Sequence, residues 1–141
     1  MTTKKKRKGK QPKGYDSWFE YDLHTTSLKT CEYHTNTIPY TQQKLYEPDF
    51  QFDTKHGTIY IEAKGRFRDS AEARKYVDIR QCMGRLNELV FIFYEPNTPM
   101  PRARRRNDGT KFTMADWADK NNFRYFTVKT VPTLLKEAQV C

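Results

Sequence analysis

The stretch YEPDFQFDTKHGTIYIEAKG, residues 46–65, decides how this chain is read. Two short alternating segments, 49–54 and 58–64, flank Lys-His-Gly, which is the pattern of a β-hairpin. Neighbouring side chains on a strand point to opposite faces. Ile59, Ile61 and Ala63 therefore share one face, and Tyr60, Glu62 and Lys64 share the other. On the first strand Phe50 and Phe52 lie opposite to Asp49, Gln51 and Asp53. Setting the phenylalanines against the isoleucines leaves Asp49 on the face of Glu62 and Lys64. If Lys55 and His56 form the loop and Thr54 faces Gly57, Asp49 stands directly opposite Glu62, roughly 5 Å away at Cβ. A three-residue loop would shift the register by one and put Phe50 beside Glu62, unless a bulge corrected it.

Two carboxylates and an ammonium thus converge on one patch. Carboxylates that close repel each other unless a cation joins them. A hard divalent ion with oxygen ligands does this, and Mg²⁺ commonly keeps waters for chemistry, with Mn²⁺ as a substitute. The carbonyl of Ala63 is a further candidate ligand. Lys64 could orient or deprotonate an attacking water, or neutralise charge on a phosphate. These are the parts for metal-assisted phosphodiester hydrolysis. Taken singly, each residue has an ordinary explanation: Asp49 follows Pro48 as a turn residue would, and Glu62 and Lys64 could be solvated strand residues. Their shared face is what points to chemistry. Asp53 sits beside the turn and reads as structural.

The bulk properties suit that chemistry. The chain has 141 residues, enough for one core. Its net charge of +9 points to a polyanionic partner, with nucleic acid the usual one. Residues 1–14 are a basic, low-complexity arm, and 15–141 read as a single domain. The three cysteines, Cys31, Cys82 and Cys141, form no CxxC pair, so neither a disulfide framework nor a zinc site is expected. No apolar run approaches membrane-spanning length and no apolar segment follows the basic N-terminus, so a cytoplasmic location is expected. There is no phosphate-binding glycine loop and no GxSxG elbow. His24, His34 and His56 are too scattered for a metal triad and read as structural.

Outward from the hairpin, Ser17 with Glu20 caps a first helix in 16–31 that the run Thr25, Thr26, Ser27 can end early. Residues 32–40 read as a strand, edge-limited by Pro39. Asp69 with Glu72 opens a helix over 68–88 with Tyr76, Ile79, Met83 and Leu86 as its buried stripe. Residues 89–95 are nearly all apolar, as in a central strand covered on both faces. After a proline-punctuated basic loop come a helix opened by Thr113 and Asp116, a strand at 123–128 and a last helix beginning at Pro132. The order is α-β-β-β-α-β-α-β-α, so the fold class is α/β with a central mixed β-sheet flanked by helices. Candidate phosphate contacts are Lys4, Lys5, Lys6, Arg7 and Lys8 on the arm, Arg66 and Arg68 after the hairpin, Arg74, Lys75 and Arg80 on the helix, and Arg102, Arg104, Arg105 and Arg106 in the loop. No base-reading motif is present, so weak sequence preference is expected.

Pro48-Asp49 with Glu62-Ala63-Lys64 resembles the PD…ExK pattern of the PD-(D/E)xK nuclease superfamily. FEYDL at 19–23, EYHTNTIPY at 32–40, EPDF, IEAKG, IRQCMGRLNELVFIF and WADKNNFRY more particularly resemble podophage endonuclease I, the enzyme that resolves Holliday junctions. The resemblance covers about residues 17–137. It implies a restriction-endonuclease-like core, with Glu20, Asp49 and Glu62 as metal-site carboxylates, Lys64 as the catalytic lysine and Glu32 as a further acid. It also implies a strand-exchanged homodimer in which the first-helix glutamate comes from the partner. The bridge from Tyr40 to Pro48 is a few residues shorter here than in that family. Two other functions are compatible with the residues: a nicking or repair nuclease of the same fold acting on duplex DNA, and a non-catalytic basic DNA-binding module.

Overall fold

The computed structural model describes residues 9–138, which fall into two compact units divided between Gln43 and Lys44. The arm residues Lys4, Lys5, Lys6, Arg7 and Lys8, and Cys141, lie outside the described residues.

In the first unit α1 spans Trp18–Thr25. Ser17 is its N-cap: the Oγ accepts the Glu20 N–H at 3.1 Å and donates to Glu20 Oε2 at 2.7 Å. The threonines end the helix as their chemistry predicts. The Thr25 hydroxyl donates to the Tyr21 carbonyl at 2.9 Å and that of Thr26 to the Asp22 carbonyl at 2.5 Å, competing with continuation of the helix. Tyr15 packs tilted against Tyr33, with ring centroids 4.5 Å apart, and Tyr33 stacks on His34 at 4.0 Å.

The strand expected at 32–40 does not form. His34 takes a left-handed φ of 49°, which breaks the extended run at its start. Residues 35–48 pair with no strand, and Ile38 and Tyr40 are each 85% exposed. Alternation alone makes no strand without a neighbour for the backbone N–H and C=O groups.

The second unit carries a four-stranded sheet of order β1-β2-β3-β4, with β1 at Phe50–Asp53, β2 at Thr58–Lys64, β3 at Glu88–Phe93 and β4 at Tyr125–Phe126. β1 pairs antiparallel with β2, and β3 pairs parallel with both β2 and β4. The helices are α2 (Ser70–Cys82), α3 (Met114–Lys120) and α4 (Val131–Leu135). The protein is therefore mixed α/β with an open mixed sheet. β3 is central, as its composition predicts, with Val90, Phe91 and Phe93 fully buried.

Both sheet faces are covered, unequally. Ile59, Ile61 and Val90 pack with Leu134 of α4 in a small cluster. Leu89, Phe91 and Phe93 join Phe67, Tyr76, Met114 and Trp117 in a larger one, against which Tyr60 packs. The Tyr60–Glu62–Lys64 face is thus the one that looks toward α2 and the main core. Each fully buried large apolar side chain contributes about 1.5–3 kcal/mol.

α2 begins at Asp69, whose carboxylate accepts the Glu72 N–H at 2.8 Å. It buries Ala73 and Tyr76 but stops at Cys82, so Leu86 is no part of its stripe and is 73% exposed. Met83 is already extended, and the Asn87 N–H returns to the Gly84 carbonyl at 2.9 Å, turning the chain into β3. The hairpin tip lies against this turn. A Cβ on Gly57 would come within 2.0 Å of the Leu86 carbonyl oxygen, so only glycine fits. α3 has the full capping box foreseen for Thr113 and Asp116. The strand read at 123–128 is only two residues long, and Phe123 goes into the core instead.

Candidate active site

The hairpin turns as its residues dictate. Thr54 N–H donates to the Gly57 carbonyl at 2.8 Å, leaving Lys55 and His56 as the loop. The ladder pairs Phe50 with Ile61 and Phe52 with Ile59. One step further along, that register sets Asp49 opposite Glu62. Asp49 Oδ2 accepts the Ala63 N–H at 2.9 Å, which fixes the carboxylate at the end of β1. Lys64 C=O bonds the Tyr94 N–H on the β3 side, so the N–H and C=O of Ala63 project to the Asp49 edge. Asp53, read as structural from its place beside the turn, accepts from the Thr58 hydroxyl at 2.9 Å.

Glu62 is 8% exposed and is the buried charged residue among those described. Its two oxygens are held separately. Tyr46 donates to Oε2 at 2.5 Å and Tyr76 to Oε1 at 2.9 Å. Lys64 Nζ lies 3.6 Å from Oε1. Burial first, and then the bond to Glu62, hold the Tyr46 phenol far above its ordinary value, and burial pushes Tyr76 up to about 12. Both tyrosines are therefore fixed donors at neutral pH.

Lys64 bonds the Glu72 carboxylate, and Glu72 Oε2 also accepts the Arg68 N–H at 2.7 Å. The cap at α2 is thus half a box: Asp69 caps Glu72, but the Glu72 carboxylate goes to Lys64 and Arg68. Burial alone draws the Lys64 pKa down, yet the bonds with Glu72 and Tyr76 carry it above the lysine range. This arrangement favours Lys64 as a cation, able to neutralise charge and to orient a group. Burial raises the Glu72 carboxyl, but the bonds from Lys64 and the Arg68 N–H, with the charges of both residues, together outweigh this and leave it below its ordinary value.

Asp49, Glu62, Ala63 and Lys64 are therefore brought together within the second unit. Tyr46 and Glu72 complete the cluster but were not singled out for it from sequence. A tyrosine three residues before the aspartate, and an acid on the first turn after the lysine, were the available signals. Glu20 and Glu32 belong to the first unit. Glu20 Oε1 accepts from Tyr33 at 3.3 Å, and candidate ligand atoms of Glu20, Asp16 and His34 lie within 4.8 Å of one another. Glu32 is exposed.

Among the candidate cations, Arg66 and Arg68 line a groove beside the cluster. Arg74 pairs with Asp78 at 3.5 Å, one turn along α2. Lys75 lies over the Tyr76 and Tyr46 rings, at 5.1 and 5.9 Å. Arg80 bonds the Asn121 carbonyl and stacks on Phe123 at 4.0 Å, a packing role. Arg104 is exposed. Arg105 donates to the Gly109 carbonyl at 2.9 Å, and Arg106 reaches Thr110 at 3.0 Å and Asp116 at 3.3 Å, so both brace their own loop. Cys31 and Cys82 are exposed free thiols. No helix among the described residues is long and apolar enough to cross a membrane.

Compared with known proteins, the chain matches no protein-family model and no curated sequence.

Proposed function

We propose that this chain is a Mg²⁺-dependent, structure-selective DNA endonuclease with a PD-(D/E)xK core, resolving Holliday junctions and other branched DNA. One observation carries the proposal: Asp49 stands opposite Glu62 at the end of a hairpin, with Ala63 bonded to Asp49 and the Lys64 ammonium 3.6 Å from Glu62. Two carboxylates and a carbonyl edge are an all-oxygen donor set of the kind hard cations prefer. A bound Mg²⁺ would polarise a phosphate and acidify a water. Asp49, Glu62 and the Ala63 carbonyl would hold it. Lys64, fixed by Glu72, would offset charge on the scissile phosphate. Glu20 is assigned to the same site through the family resemblance alone, as is a homodimer. The exposure of Ile38, Tyr40 and Leu45, the last at 95%, favours a partner surface along this bridge.

A second reading has its own observation. Tyr46, Tyr76 and Lys64 satisfy Glu62 without any ion, which favours a basic DNA-binding module with an inert acidic patch. The deciding experiment incubates purified protein with labelled four-way junction and with linear duplex of the same arms, in Mg²⁺ and in EDTA, beside Asp49→Ala. Paired Mg²⁺-dependent cuts at the junction, lost in the mutant, are expected. Equal nicking of both substrates would leave a duplex nuclease of the same fold. Binding with no cleavage in Mg²⁺ or Mn²⁺ would leave the module.

A further inference from the structure

Immediately after Lys64 and Gly65 the chain enters one wall of a groove of about 870 Å³. Arg66, Arg68 and Ser70 line this wall, and Thr98, Pro99 and Arg102 line the other. Three guanidiniums face a single lining carboxylate, Asp69. That carboxylate is engaged: Oδ1 accepts the Glu72 N–H at 2.8 Å and Oδ2 accepts from Arg68 Nε at 3.4 Å. The groove is therefore strongly cationic, and it begins where the acidic cluster ends.

The far wall is braced. The Met100 N–H donates to the Phe112 carbonyl and the Met114 N–H to the Thr98 carbonyl, each at 2.8 Å. Beyond it, the Ala103 N–H closes a turn on the Met100 carbonyl at 3.1 Å. Pro101 is the second residue of that turn, and Arg102 is the third, with φ of 58°. Proline at the second position with a positive φ at the third defines a type II turn, whose third position favours glycine. Here a long cation occupies it, at a conformational cost to the fold. Proline holds the backbone and the strained residue is an arginine on the groove.

Building on the nuclease proposal, we infer that this groove takes the sugar-phosphate backbone of the DNA strand leaving the acidic site. Arg102 and Arg66 contact its phosphates from opposite walls. The guanidinium fork matches a phosphate in two-point geometry, which a glycine or a lysine at the turn would not reproduce.

The test is fluorescence anisotropy of a labelled four-way junction in EDTA, from about 50 to 200 mM salt, where each phosphate contact contributes about 0.9 to the log–log salt slope. Arg102→Gly relieves the turn, so it is expected to melt no lower than wild type. It should nevertheless bind several-fold more weakly, with a salt slope shallower by about one. Arg66→Ala, on unstrained backbone, should show the same loss and is the check should Arg102→Gly fold poorly. Wild-type affinity and slope in both variants would overturn the inference. Were wild type to cut junctions in Mg²⁺ while both variants bound normally, the groove would fall and the nuclease would stand. Were the variants to lose binding while wild type cut nothing in Mg²⁺ or Mn²⁺, the groove would stand and the nuclease would fall. Absence of DNA binding by wild type would overturn both.

Discussion

Tyr46→Phe separates the resting arrangement of Glu62 from its proposed work. The change deletes one hydroxyl, which donates to Glu62 Oε2 at 2.5 Å, and keeps the ring that packs at 6.0 Å against Tyr76. A hydrogen bond to an ionised group contributes about 1.5–3 kcal/mol. Glu62 is nearly buried, so water replaces that donor poorly, and a loss of about 2 kcal/mol is expected for the ion-free protein. If a cation held by Asp49 and Glu62 must take Oε2, wild type gives up this same bond on loading and the mutant does not. The mutant should then bind Mn²⁺ at least about tenfold more tightly, each tenfold being about 1.4 kcal/mol. Urea unfolding in EDTA and calorimetric titration with Mn²⁺ read the two effects, which have opposite signs. Equal or weaker Mn²⁺ binding by Tyr46→Phe would refute the competition and place the cation away from Oε2.

Glu72→Gln should flatten the acid limb of stability. The Glu72 pKa is lowered on folding, so its contribution is present above the ordinary glutamate value of about 4.3 and is lost as pH falls through the folded value. Urea midpoints between about pH 3 and 7 should converge for mutant and wild type at the acid end. Gly57→Ala should cost about 3 kcal/mol or more, because its Cβ meets the Leu86 carbonyl and backbone cannot yield as a side chain does; a urea midpoint unchanged from wild type would contradict the close approach. If the proposed homodimer forms along this bridge, replacing both Ile38 and Leu45 with Ser should shift sedimentation toward the monomer while leaving the melting of the second unit unchanged, since both side chains are exposed.

The hairpin was legible because two independent constraints agree. The apolar alternation chooses the face, and a two-residue loop chooses the register, so Asp49 and Glu62 fall opposite each other without any tertiary information. Helix starts at Ser17, Asp69 and Thr113 were equally readable, since capping is local chemistry. The failures are tertiary. Tyr33, Ile38 and Tyr40 alternate like a strand, but pairing depends on a neighbour that spacing cannot reveal. Leu86 has helical spacing from Met83 and Ile79, yet Gly84 and Asn87 turn the chain first. The burial of Glu62 was also hidden. Its face alternates as a solvated one would, and only α2, laid across it with Tyr76, makes it the inside. Glu72 looked complete as a cap, so its bond to Lys64 had no local signature.

Every side chain that hydrogen-bonds or ion-pairs with the side chain of Glu62 or Lys64 among those described comes from one continuous span, residues 46–76. α3, β4 and α4 lend this span apolar backing but no polar contact to Glu62 or Lys64. Apolar backing is degenerate, since many sequences of similar volume provide it. Descent should therefore have worked on the two parts at different rates, changing the apolar side chains of α3, β4 and α4 more freely while the span from Tyr46 to Tyr76 stayed under close constraint. Kinship between this chain and distant relatives is then to be sought over those thirty or so residues, where inheritance has had the least room to wander.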